Sequence, residues 1–183
     1  IISQQLKLLN VKEIRNVQTA IIYEAKGSYL NFEYYAKHEK TFITDVDFKL
    51  HPTQFEFVNR MLKGPEEFFS KHFTGKEVQN WYTYQQTTNQ FADSYLATAT
   101  SLNYYWYSMG PVALGISTYV PLTEEDIVLF KRFRNVFELA YRRFMDIEQA
   151  AAQAREAQIE LALERVRART MAMQYSDELQ DAA

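Results

Sequence analysis

The chain has 183 residues, 47% of them hydrophobic and 15% aromatic, with 13 Tyr and 13 Phe, which is enough apolar surface for one ordinary core plus an extended appendage and too much for a disordered chain. Its 20 basic and 23 acidic side chains leave a formal charge of -3, so it lacks the basic footprint expected of a nucleic-acid or anionic-membrane binder. The absence of cysteine removes disulfides, thiolate catalysis, cysteine-held zinc and thioether-linked chromophores together, and suits a reducing, cytoplasmic setting.

No run approaches the roughly 18 apolar residues of a membrane span, and the start lacks the zones of a signal peptide. A start at Ile1 and an end in helical sequence at Ala183 read as a piece of a longer chain whose output domain lies elsewhere. The opening IISQQLKLLNVKEIRN sets Ile2, Leu6 and Leu9 on one helical stripe. Val17 to Tyr23 reads as a buried strand. After a turn at Gly27 and Ser28, Leu30, Phe32 and Tyr34 alternate with Asn31, Glu33 and Tyr35, and the two runs suggest an antiparallel hairpin.

Thr41 to Phe48 is a third strand candidate. His51-Pro52 opens a helix that Gly64-Pro65 stops. EEFFSKHF is expected to form a second short helix, EVQNWYTY from Glu77 to Tyr84 a strand, and Asn89 to Leu102 a helix with Phe91, Tyr95 and Leu102 on one face. In LNYYWYSMGPVALGISTYV two β-prone runs flank Met109-Gly110-Pro111, the clearest hairpin and the expected centre of the sheet. Thr123-Glu124-Glu125-Asp126 resembles a capping box, and no Gly or Pro follows it. One helix from Thr123 to about Gln180 would be roughly 85 Å long, more than a single globular domain covers.

On that helix Phe130, Phe133, Phe137, Ala140, Phe144, Ile147, Ala151 and Ala154 recur at three- and four-residue steps, the spacing of a coiled-coil seam. The expected dimer seam is Phe137, Ala140, Phe144, Ile147, Ala151 and Ala154; the alternative is a terminal helix folded back as core. Beyond Ala154 two registers compete, one through Gln158, Leu161, Arg165 and Ala168, the other through Ile159, Leu163, Val166, Thr170 and Met173. Such an offset is either a bistable element or a weakly apolar helix end.

Residues 156–179, EAQIELALERVRARTMAMQYSDEL, with ALERVR at 162–167 as their core, resemble the signalling-helix connector between sensor and output domains of Bacteroidetes-type two-component proteins. PLTEEDIVLFKRFRNVFELAYRRF at 121–144 is similar to the last helix of the GAF-like domain that feeds such connectors, and the order of elements over 1–120 resembles a GAF domain. The resemblance implies an α+β fold, with a GAF-like antiparallel sheet flanked by helices over 1–122 and a terminal helix over 123–183 continuing into a dimeric coiled coil. It implies a sensory input and dimerisation module relaying ligand or partner binding to a histidine kinase or another dimeric output, the alternative being a constitutive dimerisation scaffold without a ligand. The bilin-binding cysteine and the Asn-Lys-Phe-Asp-Glu run of cyclic-nucleotide-binding members are both absent, so neither ligand class carries over.

Chemistry is sparse. The five glycines form no phosphate-cradling pattern. His38 and His51 flank Asp45 and Asp47, which share a strand face, but the spacing matches no recognised metal set. No histidine follows His72, so the connector holds no phosphoacceptor, and a hydrolase triad lacks support. We therefore expect no catalytic residue, no metal and no cofactor in this chain, a homodimer through the C-terminal helix, and an unidentified small-molecule ligand at most. From the aromatic cluster the candidate pocket residues are Trp81, Tyr84, Tyr105 and Tyr107, against the alternative that they are sheet and core. Lys131-Arg132 and Arg142-Arg143 are interleaved with acids and read as a solvated helix face.

Overall fold

A computed structural model describes residues 1–172. The chain is α+β, and it divides into two units, Ile1–Val136 and the part from Phe137 onward. In chain order the first unit holds α1 (Ile2–Leu8), β1 (Ile14–Tyr23), β2 (Ser28–Tyr35), β3 (Lys40–Asp47), α2 (Pro52–Met61), β4 (Phe68–Thr74), α3 (Lys76–Gln86), β5 (Ser101–Ser108) and β6 (Val112–Thr118). The last helix, α4, spans Glu124–Ala172. Of the 156–179 segment, residues 173–179, Met173 among them, lie outside the described residues.

The six strands form one antiparallel sheet in the order β3-β2-β1-β6-β5-β4. Two tight connections set its registers. Gly27 takes a left-handed φ of 74° after a 3-10 turn and lets β1 reverse into β2, and Gly110, at φ 86°, does the same between β5 and β6. Pairing of β1 with β6 slips by one residue, Ile14 facing Thr118 and Asn16 facing Ser117, so Arg15 is the extra residue of a β-bulge.

Because side chains alternate across a sheet, each strand serves two layers. One face carries Ala20, Ile22, Tyr29, Val46, Phe69, Phe73, Leu102, Tyr104 and Trp106, and packs with Phe57, Val58 and Met61 of α2, Val78 and Trp81 of α3, and Leu96 of the connection that follows α3. The other face carries Val17, Phe32 and Tyr34 beside the start of α1, and Tyr107, whose ring meets Phe130 of α4 at 5.5 Å. Arg134, one turn beyond Phe130, donates Nη2 to the carbonyl of Pro65 at 2.8 Å. These contacts dock the first three turns of α4 on the unit.

Helix starts follow their caps. His51 Nδ1 accepts from the Thr53 amide and Pro52 occupies the first turn of α2. At α4 the capping box forms with Asp126 as its acid: Thr123 Oγ1 accepts from the Asp126 amide, and Asp126 Oδ2 accepts from the Thr123 amide at 3.1 Å. Three expected elements differ. EEFFSKHF is mostly strand β4, because Phe69 and Phe73 fall on one face at strand as well as helix spacing. The segment expected as a strand from Glu77 is helix α3, burying Val78, Trp81 and Gln85 at helical steps. Asn89 to Leu102 is an open connection with one 3-10 turn, Ser94–Ala97, running into β5. In α1, Ser3 and Leu6 are buried, whereas Leu9 is exposed.

Candidate functional site: a polar cavity inside the core

Polar side chains occupy the inner face of β1 and β2, where apolar ones are expected. Gln18, Asn31 and Glu33 are each at most 5% exposed. Together with Gln54 of α2, Gln85 of α3 and Gln90 of the following connection they line a cavity of ≈ 10 Å³, walled by Tyr29, Phe57, Trp81, Tyr104 and Trp106. That volume holds about one water. Gly115 seats one of the walls: a Cβ there would stand 2.6 Å from the Trp106 ring, so only glycine lets the indole lie against β6.

Inside, the hydrogen bonding is incomplete. Asn31 Nδ2 donates to Gln18 Oε1 at 3.2 Å, while Gln18 Nε2, Asn31 Oδ1 and Trp106 Nε1 are buried without a partner. Glu33 Oε1 accepts from Asn16 Nδ2 and from the Tyr35 hydroxyl, both at 2.9 Å. Burial nevertheless pushes the Glu33 carboxyl above its ordinary pKa, against the pull of Arg15 and of these two bonds. At the rim, the Tyr84 hydroxyl donates to Gln54 Oε1 at 2.8 Å and Gln54 Nε2 donates to Gln90 Oε1 at 2.9 Å.

Arg15 stands beside the cavity because the bulge turns it into this layer. Its Nε donates to Asp93 Oδ2 at 3.0 Å, Nη1 to the Tyr104 hydroxyl at 3.2 Å, and Nη2 to Gln85 Oε1 at 3.2 Å. Asp93 is fully buried. Its Oδ1 is bonded to His38 Nε2 at 2.8 Å and accepts from the Tyr95 amide, and its Oδ2 also accepts from the Tyr119 hydroxyl at 2.5 Å. Burial alone would raise the Asp93 pKa; Arg15 and the hydrogen bonds from Tyr119, His38 and Tyr95 outweigh it and hold the carboxyl below its usual value. Tyr119 directly follows β6, four residues before the Thr123 cap of α4.

Of the pocket residues expected from sequence, Trp81 lines the cavity, donating Nε1 to the Tyr104 hydroxyl at 3.0 Å, and Tyr84 stands at its rim. Tyr105 and Tyr107 do not reach it. They have the opposite strand parity: the Tyr105 hydroxyl accepts from the Leu122 amide at 2.8 Å, and Tyr107 packs on Phe68 and Phe130. Their neighbours Tyr104 and Trp106 are the cavity residues. His38 is engaged with Asp93 and His51 in the α2 cap, and among the described residues no group of three or more His, Cys, Asp or Glu converges on a metal position.

Along α4, Phe137 is half-buried and Ala140, Phe144, Ile147, Ala151 and Ala154 are exposed. Ile159, Leu161, Leu163 and Val166 are also exposed, so both competing registers present apolar side chains to solvent. Among the described residues no helix is long and apolar enough to cross a membrane. Comparison with protein-family models, curated proteins and solved structures returned no match.

Proposed function

We propose that the chain is a sensory input and dimerisation module, in which occupancy of the polar cavity alters the packing of α4 and a dimer of α4 helices passes the change to an output domain, a histidine kinase on the sequence resemblance. One observation carries the reading: a buried hydrogen-bonded chain runs from the cavity walls Gln85 and Tyr104 through Arg15 and Asp93 to Tyr119, at the strand end from which α4 starts. A side chain that shifts in the cavity disturbs Arg15. Arg15 cannot move without releasing Asp93, and Asp93 holds the Tyr119 hydroxyl. The exposed apolar positions of α4 supply the second half of the argument, because a run of them at coiled-coil spacing marks a face that another helix can cover.

The small volume of the cavity favours a second reading, a constitutive dimer scaffold whose interior holds no ligand. Native mass spectrometry of the chain separates these readings, since it reports oligomer mass and any retained small molecule at once. The expected result is a dimer without a covalent group. Phe144→Asp, which sets a charge among the apolar positions, should weaken association while circular dichroism stays unchanged. A strict monomer at high micromolar concentration refutes dimerisation through α4, and loss of the whole fold in the variant assigns Phe144 to the core instead.

A further inference from the structure

The cavity is selective in what it leaves unpaired. Two carboxamides, Gln18 and Asn31, share a single hydrogen bond. Whichever way each amide is turned, one such bond leaves one NH₂ and one carbonyl free. The Trp106 indole N–H adds a second free donor. Each of these three residues is at least nine-tenths buried, so solvent at the surface does not satisfy them.

Charge is absent from what the cavity offers. The Arg15 guanidinium is already taken by Asp93, Tyr104, Ser117 and Gln85. Glu33 is held through Oε1 by Asn16 and Tyr35, and burial disfavours its ionised form. An anion therefore finds no free cation, and an ammonium group finds a carboxyl biased towards neutrality. The walls are flat aromatic rings, which favour a planar guest. At the mouth, the Gln90 carboxamide is bonded to Gln54. The site thus already binds one amide, from its own chain.

From these observations we infer that the cavity binds a small, uncharged, planar molecule of the carboxamide or urea class, which takes the place of the Gln90 side chain and pairs its carbonyl with Gln18 and Trp106 and its N–H with Asn31. The inference rests on the sensor reading, since it names that module's ligand class. On leaving, Gln90 gives up its bonds to Gln54 and to Thr88 Oγ1, and the three bonds of the guest to Gln18, Trp106 and Asn31 offset them. Gln90 belongs to the connection between α3 and β5, whose one regular element is the turn at Ser94–Ala97, and this backbone can yield without breaking the sheet. Asp93 lies three residues further on, so the same movement reaches the chain of bonds that ends at Tyr119.

The test is a titration of the ¹⁵N-labelled chain with acetamide and methylurea, and in parallel with acetate and methylammonium, read on its two indole N–H signals. The signal assigned to Trp106 by its loss in Trp106→Phe should move saturably with the two neutral probes at millimolar concentration. The Trp81 signal comes from another wall of the same cavity and should move with the same saturation, and circular dichroism, unchanged by either probe, serves as the control for folding. Gln90→Ala should tighten binding severalfold by clearing the mouth, and Asn31→Leu or Gln18→Leu should weaken it about tenfold or more. A shift with acetate or methylammonium instead overturns the neutral class and leaves the sensor reading standing with another ligand. No shift with any probe, in both the parent chain and Gln90→Ala, overturns the binding site itself. The dimerisation half of the sensor reading is judged separately by oligomer mass.

Discussion

Replacing Asp93 by Asn tests whether the buried charge pair holds the two halves of the first unit together. Asp93 offers two oxygens, Oδ1 to His38 and the Tyr95 amide, Oδ2 to Arg15 and Tyr119. Asparagine offers one. Whichever way its amide turns, the NH₂ faces two groups that were donating, and Arg15 becomes a buried cation without its counter-charge. Breaking a buried pair from one side costs about 3–5 kcal/mol, and here both partners are wholly buried at 3.0 Å, so the upper half of that range is expected. The double variant Arg15→Met, Asp93→Leu should lose much less than the sum of its single variants, because it leaves no uncompensated charge. Thermal unfolding followed by the fluorescence of Trp81 and Trp106, both in the core, measures all four corners of the cycle. The pH dependence has a fixed sign. The folded Asp93 pKa lies below its unfolded value, so the pair's stabilisation is complete above an ordinary carboxylate pKa of about 3.9 and is lost as pH falls through the lowered folded value. A loss below about 1 kcal/mol for Asp93→Asn, in the range of surface substitutions, would refute a structural role for the pair.

Glu33 has the opposite sign: its folded pKa is raised, so its contribution is full below about 4.3 and declines as pH rises through the folded value, and Glu33→Gln should raise the melting temperature at pH 7 and flatten its pH profile. An unchanged profile in Glu33→Gln would mean that another group titrates. Gly115→Ala drives a methyl against the Trp106 ring, an overpacking that should cost about 1–3 kcal/mol and shift the tryptophan emission; normal stability would show that the indole has room to move. In the full-length protein, four residues inserted between Arg155 and Ile159 turn the helix beyond them by about 40°, whereas seven turn it by about 20° the other way and preserve the heptad. Locked output with four and near-normal output with seven is the expected result, and equal tolerance of both would make α4 a passive tether.

The elements legible in the sequence are those bounded by a strong local signal. The β5–β6 hairpin is marked by its Gly-Pro reversal, and α4 by its cap and by the end of all Gly and Pro beyond it. The edge half of the unit was not legible, because its signals fit two periods. Phe69 and Phe73 lie on one face of a strand and also on one face of a helix, so only the pairing of β4 with β5 decides between them. In EVQNWYTY, β-prone aromatics outweigh the helical step from Val78 to Trp81 and on to Gln85 just beyond it, and it is packing with the core cluster that selects the helix.

The site itself was hidden by a reversal of the usual rule. In β2 the alternation is plain, but Tyr29, Asn31, Glu33 and Tyr35 are the buried set, and Leu30, Phe32 and Tyr34 are only half-buried. Reading polarity as exposure therefore assigns β2 to the wrong face, and in β5 the expected pair Tyr105 and Tyr107 has the parity opposite to that of the cavity residues Tyr104 and Trp106. One signal was available. Gln18 on β1 pairs with Glu33 on β2, and Asn31 with Ala20, so a hairpin drawn from the Gly27 turn already places Gln18, Asn31 and Glu33 on one face with Ala20 and Ile22. Three polar groups sharing a face with two apolar ones violate the binary pattern on a strand that helices cover. Such a violation costs stability unless something satisfies the groups, so it marks the place where binding can return what folding gives up. Arg15 escapes even that construction, since a bulge cannot be read from alternation, and it is the bulge that ties the cavity to Asp93.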